Sequence, residues 1–145
     1  MKKRTRSREL ALQFLYQVDV RGDGSGSDVE AFLADEERDR STVEFARELI
    51  QGTLDNRDRI DECIRSVVQN WDLARMAMVD RNVLRLATFE LVFREDIPPK
   101  VSINEAIELG KRFSTQNSGG FINGVLDKVK DRYASGAGAA SNPTD

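Results

Sequence analysis

Apolar residues return every three or four positions through most of the chain, and residues that start or stop helices stand between the runs. Leu10, Ala11, Phe14, Leu15 and Val18 make the first stripe. Leu12 and Tyr16 widen it until the helix is apolar almost all round, which suits the centre of a bundle. Val29, Phe32 and Leu33 mark a short second helix, and Val43, Ala46, Leu49, Ile50 and Leu54 a third. Asp55 and Asn56 separate that stripe from a fourth, formed by Ile60, Cys63, Ile64, Val67, Val68 and Trp71. Val83, Leu84, Ala87 and Leu91 face inward from a fifth. The last two stripes are Ile103, Ala106, Ile107, Gly110 and Phe113, then Phe121, Ile122, Val125, Leu126 and Val129, joined by the polar turn T-Q-N-S-G-G as a helical hairpin.

Start and stop signals sharpen these elements. Ser27 with Glu30, Ser41 with Glu44 and Ser102 with Glu105 have capping-box spacing, and Asp80 reads as an N-cap. Pro98 and Pro99 end the fifth helix, because neither can donate the amide a helix interior needs. The run G-D-G-S-G-S from Gly22 is a flexible connection. No stretch alternates with the period of a strand. The expectation is an all-α fold of about seven helices, split into two packed sub-bundles by the connection at Gly22 and the polar stretch before Asp80. Residues 1–134 form the domain, and 135–145, poor in apolar bulk, a disordered tail.

Composition narrows the chemistry. At 145 residues the chain is one domain. With no histidine and one cysteine, a zinc site, an internal disulfide and histidine general-base catalysis are excluded. Cys63 lies on an apolar face as a core thiol, and this usage fits a reducing compartment. No apolar run is long enough to span a membrane, so a cytoplasmic protein is expected. The net charge of −3 hides an asymmetry, because Lys2, Lys3, Arg4, Arg6 and Arg8 leave −8 on the remainder. A basic, flexible N-terminal arm on an acidic body implies a localised anionic partner, and the bland alternative is a solubilising terminus. Carboxylates are plentiful but unpaired in spacing, and Gly110-Lys111 lacks the rest of a phosphate-binding loop. No catalytic residue, metal site or cofactor is expected.

Four segments then carry a resemblance: Arg8–Tyr16 (R-E-L-A-L-Q-F-L-Y) with the arginine-rich arm before it, Asp80–Leu91 (D-R-N-V-L-R-L-A-T-F-E-L), Ile97–Leu109 (I-P-P-K-V-S-I-N-E-A-I-E-L) and Phe121–Lys128 (F-I-N-G-V-L-D-K). Together, and in this order, they are similar to the NusB family of bacterial transcription antitermination factors. The resemblance implies two three-helix bundles with a basic arm. It also implies binding to the boxA element of ribosomal RNA leader transcripts, with the small-subunit ribosomal protein NusE, inside an RNA polymerase antitermination complex. It assigns RNA contacts to Lys2, Arg4, Arg6, Arg8, Tyr16, Asn117, Ser118 and Phe121. The NusE surface is assigned to Asp80 and its helix neighbours Arg81 and Arg85. Asn117, a neutral amide where an acidic residue occurs in relatives, and the glycines at 119 and 120 depart from the pattern and bear on RNA affinity rather than on fold.

Single-stranded RNA needs cations along its phosphates and aromatic faces for unstacked bases. The arm supplies the first, extended by Lys111, Arg112, Lys128, Lys130 and Arg132. Tyr16 and Phe121 supply the second, against the alternative that both rings are core. Asn117 and Ser118 have a plain alternative as helix caps. Two further readings stand beside antitermination. One is a protein-only helical scaffold, and the other an RNA-binding module related to those fused to RNA methyltransferases, against which the lack of a glycine-rich cofactor-binding segment counts. A homodimer stands as the alternative to a monomer.

Overall fold

The stripes do become helices, and their boundaries show which local signals tertiary packing overrode. The computed structural model describes residues 2–22, 28–68 and 73–134. Its elements are α1 (Lys3–Arg21), α2 (Val29–Glu36), α3 (Arg40–Asp55), α4 (Arg57–Val67), a single 3₁₀ turn (Leu73–Arg75), α5 (Met78–Phe93), α6 (Pro99–Phe113) and α7 (Ser118–Tyr133), with no strand among the described residues. The place of Trp71, the Ser27 cap and the tail from 135 lie outside those residues. Helices α1, α2 and α3 pack together, as do α5, α6 and α7, and α4 lies against α5 and α7. Helix α5 also touches α1 and α3. The two expected sub-bundles therefore share one continuous core, in which every residue from Arg81 to Leu91 is buried.

Several starts differ from their expected positions. Helix α3 is capped by Asp39, whose carboxylate accepts from the Thr42 amide at 3.0 Å and from the Ser41 hydroxyl at 2.8 Å. The Ser41 hydroxyl, with the hydroxyl and amide of Thr42, holds the Asp39 carboxyl well below the usual carboxylate range. Asp28 caps α2 in the same way, accepting from the Ala31 amide at 3.1 Å. The Ser102 and Glu105 pair caps nothing. Helix α6 already begins at Pro99, where a missing amide costs nothing, and α5 has ended at Phe93. Asp80 is the third residue of α5 rather than its N-cap, which is Ala77. In that first turn its charge still favours the positive end of the helix. The basic run is not a flexible arm either, since it is helical from Lys3.

Close approach depends on small residues. A Cβ on Gly52 of α3 would lie 2.1 Å from Cζ of Phe89, and one on Gly110 of α6 would lie 2.4 Å from Cδ1 of Ile122 on α7. At Gly120 of α7 a Cβ would meet nothing within 4 Å. Gly52→Ala is therefore expected to cost about 1 to 3 kcal/mol by overpacking. Gly120→Ala should instead stabilise by up to about 1 kcal/mol, the helix-propensity difference. Urea denaturation of both variants reads these opposite signs.

Candidate nucleic-acid interface

The exposed side of α1 and the C-terminal end of α6 line a basic and aromatic groove. Helix α1 is buried through Leu10, Ala11, Phe14, Leu15 and Val18, so the positions between them emerge on its other side. There Arg6, Glu9 and Tyr16 line one wall of a cleft of about 440 Å³. The end of α6 contributes Arg112 and Phe113, and Leu12 with Val79 of α5 forms the apolar floor. Tyr16 is 40% exposed and Phe113 45%. The Arg112 guanidinium lies 4.9 Å from the centroid of the Phe113 ring, a cation–π pair that leaves ring surface open. Glu9 sits between the two cations: Arg112 donates to its Oε2, and Nη1 of Arg6 is 3.5 Å from its Oε1. Arg6 is also held by Glu37 at 3.3 Å. Such a cleft offers faces for bases and cations for phosphates within one side chain's reach.

The expected site residues divide sharply. Arg6 and Tyr16 are in the groove, and Tyr16 is a surface ring rather than core. Lys2 and Arg4 are exposed at the start of α1. Arg4 turns onto Phe45 of α3, its guanidinium 4.1 Å from the ring centroid. Arg8 is not a surface cation at all. It is 2% exposed, and its Nε and Nη2 donate to the two oxygens of Glu90 at 2.9 and 2.7 Å. Helical periodicity puts it on the core side of α1, which runs of charge along a sequence do not reveal. Ser118 is likewise buried, bonded to Ser114 at 3.0 Å and to Thr115 at 3.1 Å, so its hydroxyl is taken up in the α6–α7 turn. Asn117 is exposed beside it and makes no side-chain cap. Phe121 is half-buried against the core, one turn into α7. Residues 117 to 121 thus lie on the hairpin that ends in Arg112 and Phe113, without lining the groove.

The charged face expected around Asp80 is also different. Asp80 is half-buried and its Oδ1 has no hydrogen-bond partner among the described residues. Arg81 and Arg85 point inward. Arg81 donates through Nε to Asp19 of α1 at 2.9 Å. Arg85 donates to Asp61 of α4 at 2.8 and 3.1 Å and to Asp19 at 3.2 Å. Neither is available to a partner, because α5 is the central helix and presents almost no free face. Burial raises the pKa of Asp19, but the bonds from Asn82 and Arg81 outweigh it and hold the carboxyl below its ordinary value.

Sequence reasoning missed Phe113 and Glu9. Phe113 continued an apolar stripe and so read as core, although its place as the last residue before the polar turn was a sign that the stripe had run out of partners. Glu9 carried no local signal, since its significance comes from Arg112, 103 residues away.

Comparison with known proteins agrees with this architecture. The model of the NusB family matches residues 5–131. A transcription antitermination protein NusB from Anaeromyxobacter dehalogenans is 52% identical over 128 residues, covering 88% of this chain and 89% of that one. The structure of T. maritima NusB superposes with a TM-score of 0.81 at 42% identity, covering 90% of this chain and 92% of the other. A crystal structure of antitermination factors NusB and NusE in complex with double-stranded RNA gives 0.82 at 27% identity, covering 92% and 99%.

Arg8→Gln is expected to cost about 3 to 5 kcal/mol of folding stability by leaving Glu90 buried without its partner, whereas Arg4→Gln, on the surface, should cost well under that. Chemical denaturation separates them. For Asp19 the sign follows from its lowered value: its contribution is complete above the ordinary 3.8 and is lost as pH falls through the lower folded value. Asp19→Asn should therefore be less stable at neutral pH and lose less further stability on acidification below about pH 4 than the parent.

Proposed function

The chain belongs to the NusB family, and from that membership we propose that it is a transcription antitermination factor that binds boxA-type single-stranded RNA of ribosomal RNA leader transcripts together with NusE. The groove between α1 and α6 is its RNA surface. The observation that carries this reading is the pair of exposed rings, Tyr16 and Phe113, flanked by Arg6 and Arg112 over one cleft. Bases in a continuous duplex are stacked on one another, so exposed rings of this kind favour single strands, loops or ends. Lys2 and Arg4 extend the phosphate path along the start of α1, and Asn117 with the rim of Phe121 extends it along the hairpin. Asp80 follows the groove residue Val79 directly, so a NusE surface that includes Asp80 would adjoin the RNA. The two partners would then strengthen each other's binding by the same factor. The protein acts by binding in the cytoplasm, and no catalytic role is assigned to any residue. Among the described residues no helix is long and apolar enough to cross a membrane.

Fluorescence anisotropy with a boxA-type strand, a scrambled strand and a duplex, each with and without NusE, tests this. The boxA-type strand should bind most tightly, and more tightly with NusE present. Tyr16→Ala and Phe113→Ala should each weaken it by about 1 to 3 kcal/mol while melting near the parent temperature. Parent-like affinity in both variants would place the RNA elsewhere. No RNA binding under any condition would leave the protein-only scaffold.

A further inference from the structure

We infer that Glu9 is a selectivity residue of the groove, an internal counter-ion that mutes Arg6 and Arg112 so that phosphate alone cannot hold an RNA there. The inference rests on the groove being the RNA surface. Its evidence is the placement of one carboxylate. Glu9 is 9% exposed, yet it lies in the wall of an open cleft and faces two guanidiniums from different helices. Arg112 donates to one of its oxygens and Arg6 approaches the other at 3.5 Å. A carboxylate in this position occupies the place a phosphate oxygen would take. It aims both cations along the groove and cancels part of their charge. Any polyanion must compete with it for the guanidiniums, and the competition is won only when bases also gain the faces of Tyr16 and Phe113. An unfavourable element that all RNAs meet, offset only by the RNA that stacks, is how a binding surface rejects wrong partners. Arg112 is the more dependent of the two cations, because Arg6 has Glu37 as a second partner.

Glu9→Gln in the full chain releases both guanidiniums without changing the size of the side chain. Over a salt series, the scrambled strand should bind several-fold more tightly than to the parent, and its log K against log salt should steepen by about 0.7 to 1.4, one to two further phosphate contacts. The boxA-type strand should gain less, so the ratio between the two falls. Placed in an Arg112→Gln background, Glu9→Gln should give no more than about half of that steepening. Glu62→Gln, which neutralises an exposed carboxylate paired with Arg59 on α4, controls for bulk charge and should change neither slope nor ratio. If Glu62→Gln matches Glu9→Gln, or if Glu9→Gln weakens both strands in parallel, the inference is overturned. Should Glu9→Gln melt well below the parent, Glu9→Asp keeps the charge but draws it a methylene away from Arg112. It too should lose selectivity, and a folded Glu9→Asp with parental selectivity overturns the proposal. A parent that binds neither strand with NusE present refutes the RNA reading itself, whereas normal binding with unaltered Glu9 variants refutes only the role of Glu9.

Discussion

A guanidinium and a carboxylate withdrawn from water must satisfy each other completely or the fold does not hold, and Arg8 with Glu90 meets that condition between the first helix and the central one. Both oxygens of Glu90 accept from Arg8, and Ser102 of α6 adds a third donor at 2.7 Å. The remaining arginine nitrogen is 3.7 Å from Glu105, which in turn accepts from Thr5 at 2.9 Å. A buried pair of this kind adds little net stability compared with apolar residues of the same shape, but breaking it leaves an isolated charge in the core. Its consequence is registry: α1, α5 and α6 can pack in only one sliding position relative to one another.

That registry is what builds the groove. Arg8 pins α1 by its core side, so Glu9, Leu12 and Tyr16 come out opposite the C-terminal end of α6 and the first turn of α5. A second polar lock holds the other end of the same helix, where Asp19 receives Arg81, Asn82 and Arg85. Between the two locks the buried side of the helix packs through apolar, non-directional contacts, which give packing energy without choosing a register. The groove is thus a by-product of two ion-pair networks that never touch it, and its own charges can vary without threatening the core.

The stripes, the break at Asp55–Asn56 and the hairpin after Phe113 were all readable in advance, because helix periodicity and the need to bury an apolar face are properties of adjacent residues. Helix starts were less so. Ser41 lay two residues inside the helix that Asp39 caps, and Ser102 and Glu105 had capping-box spacing while serving the Glu90 and Thr5 contacts. A capping side chain accepts from an amide left unpaired at a helix start, and Ser102 lies inside α6, past that start, so its hydroxyl donates to Glu90 instead. Of the residues expected to bind RNA, Arg6 and Tyr16 do line the groove. Arg8, Ser118, Arg81 and Arg85 looked equally suitable and are buried, because charge in a sequence carries no statement of which way it faces.

By itself the sequence determined the helical class, the number and order of the elements, the apolar faces and the family, since each follows from spacing and residue type along a continuous stretch. Only the tertiary structure decided which charges are structural and which are free, and which distant residues share a surface. The physical reason is that burial and ion pairing are relations between helices. Glu9 meets Arg112 across 103 positions and Arg8 meets Glu90 across 82, and no local pattern encodes either meeting.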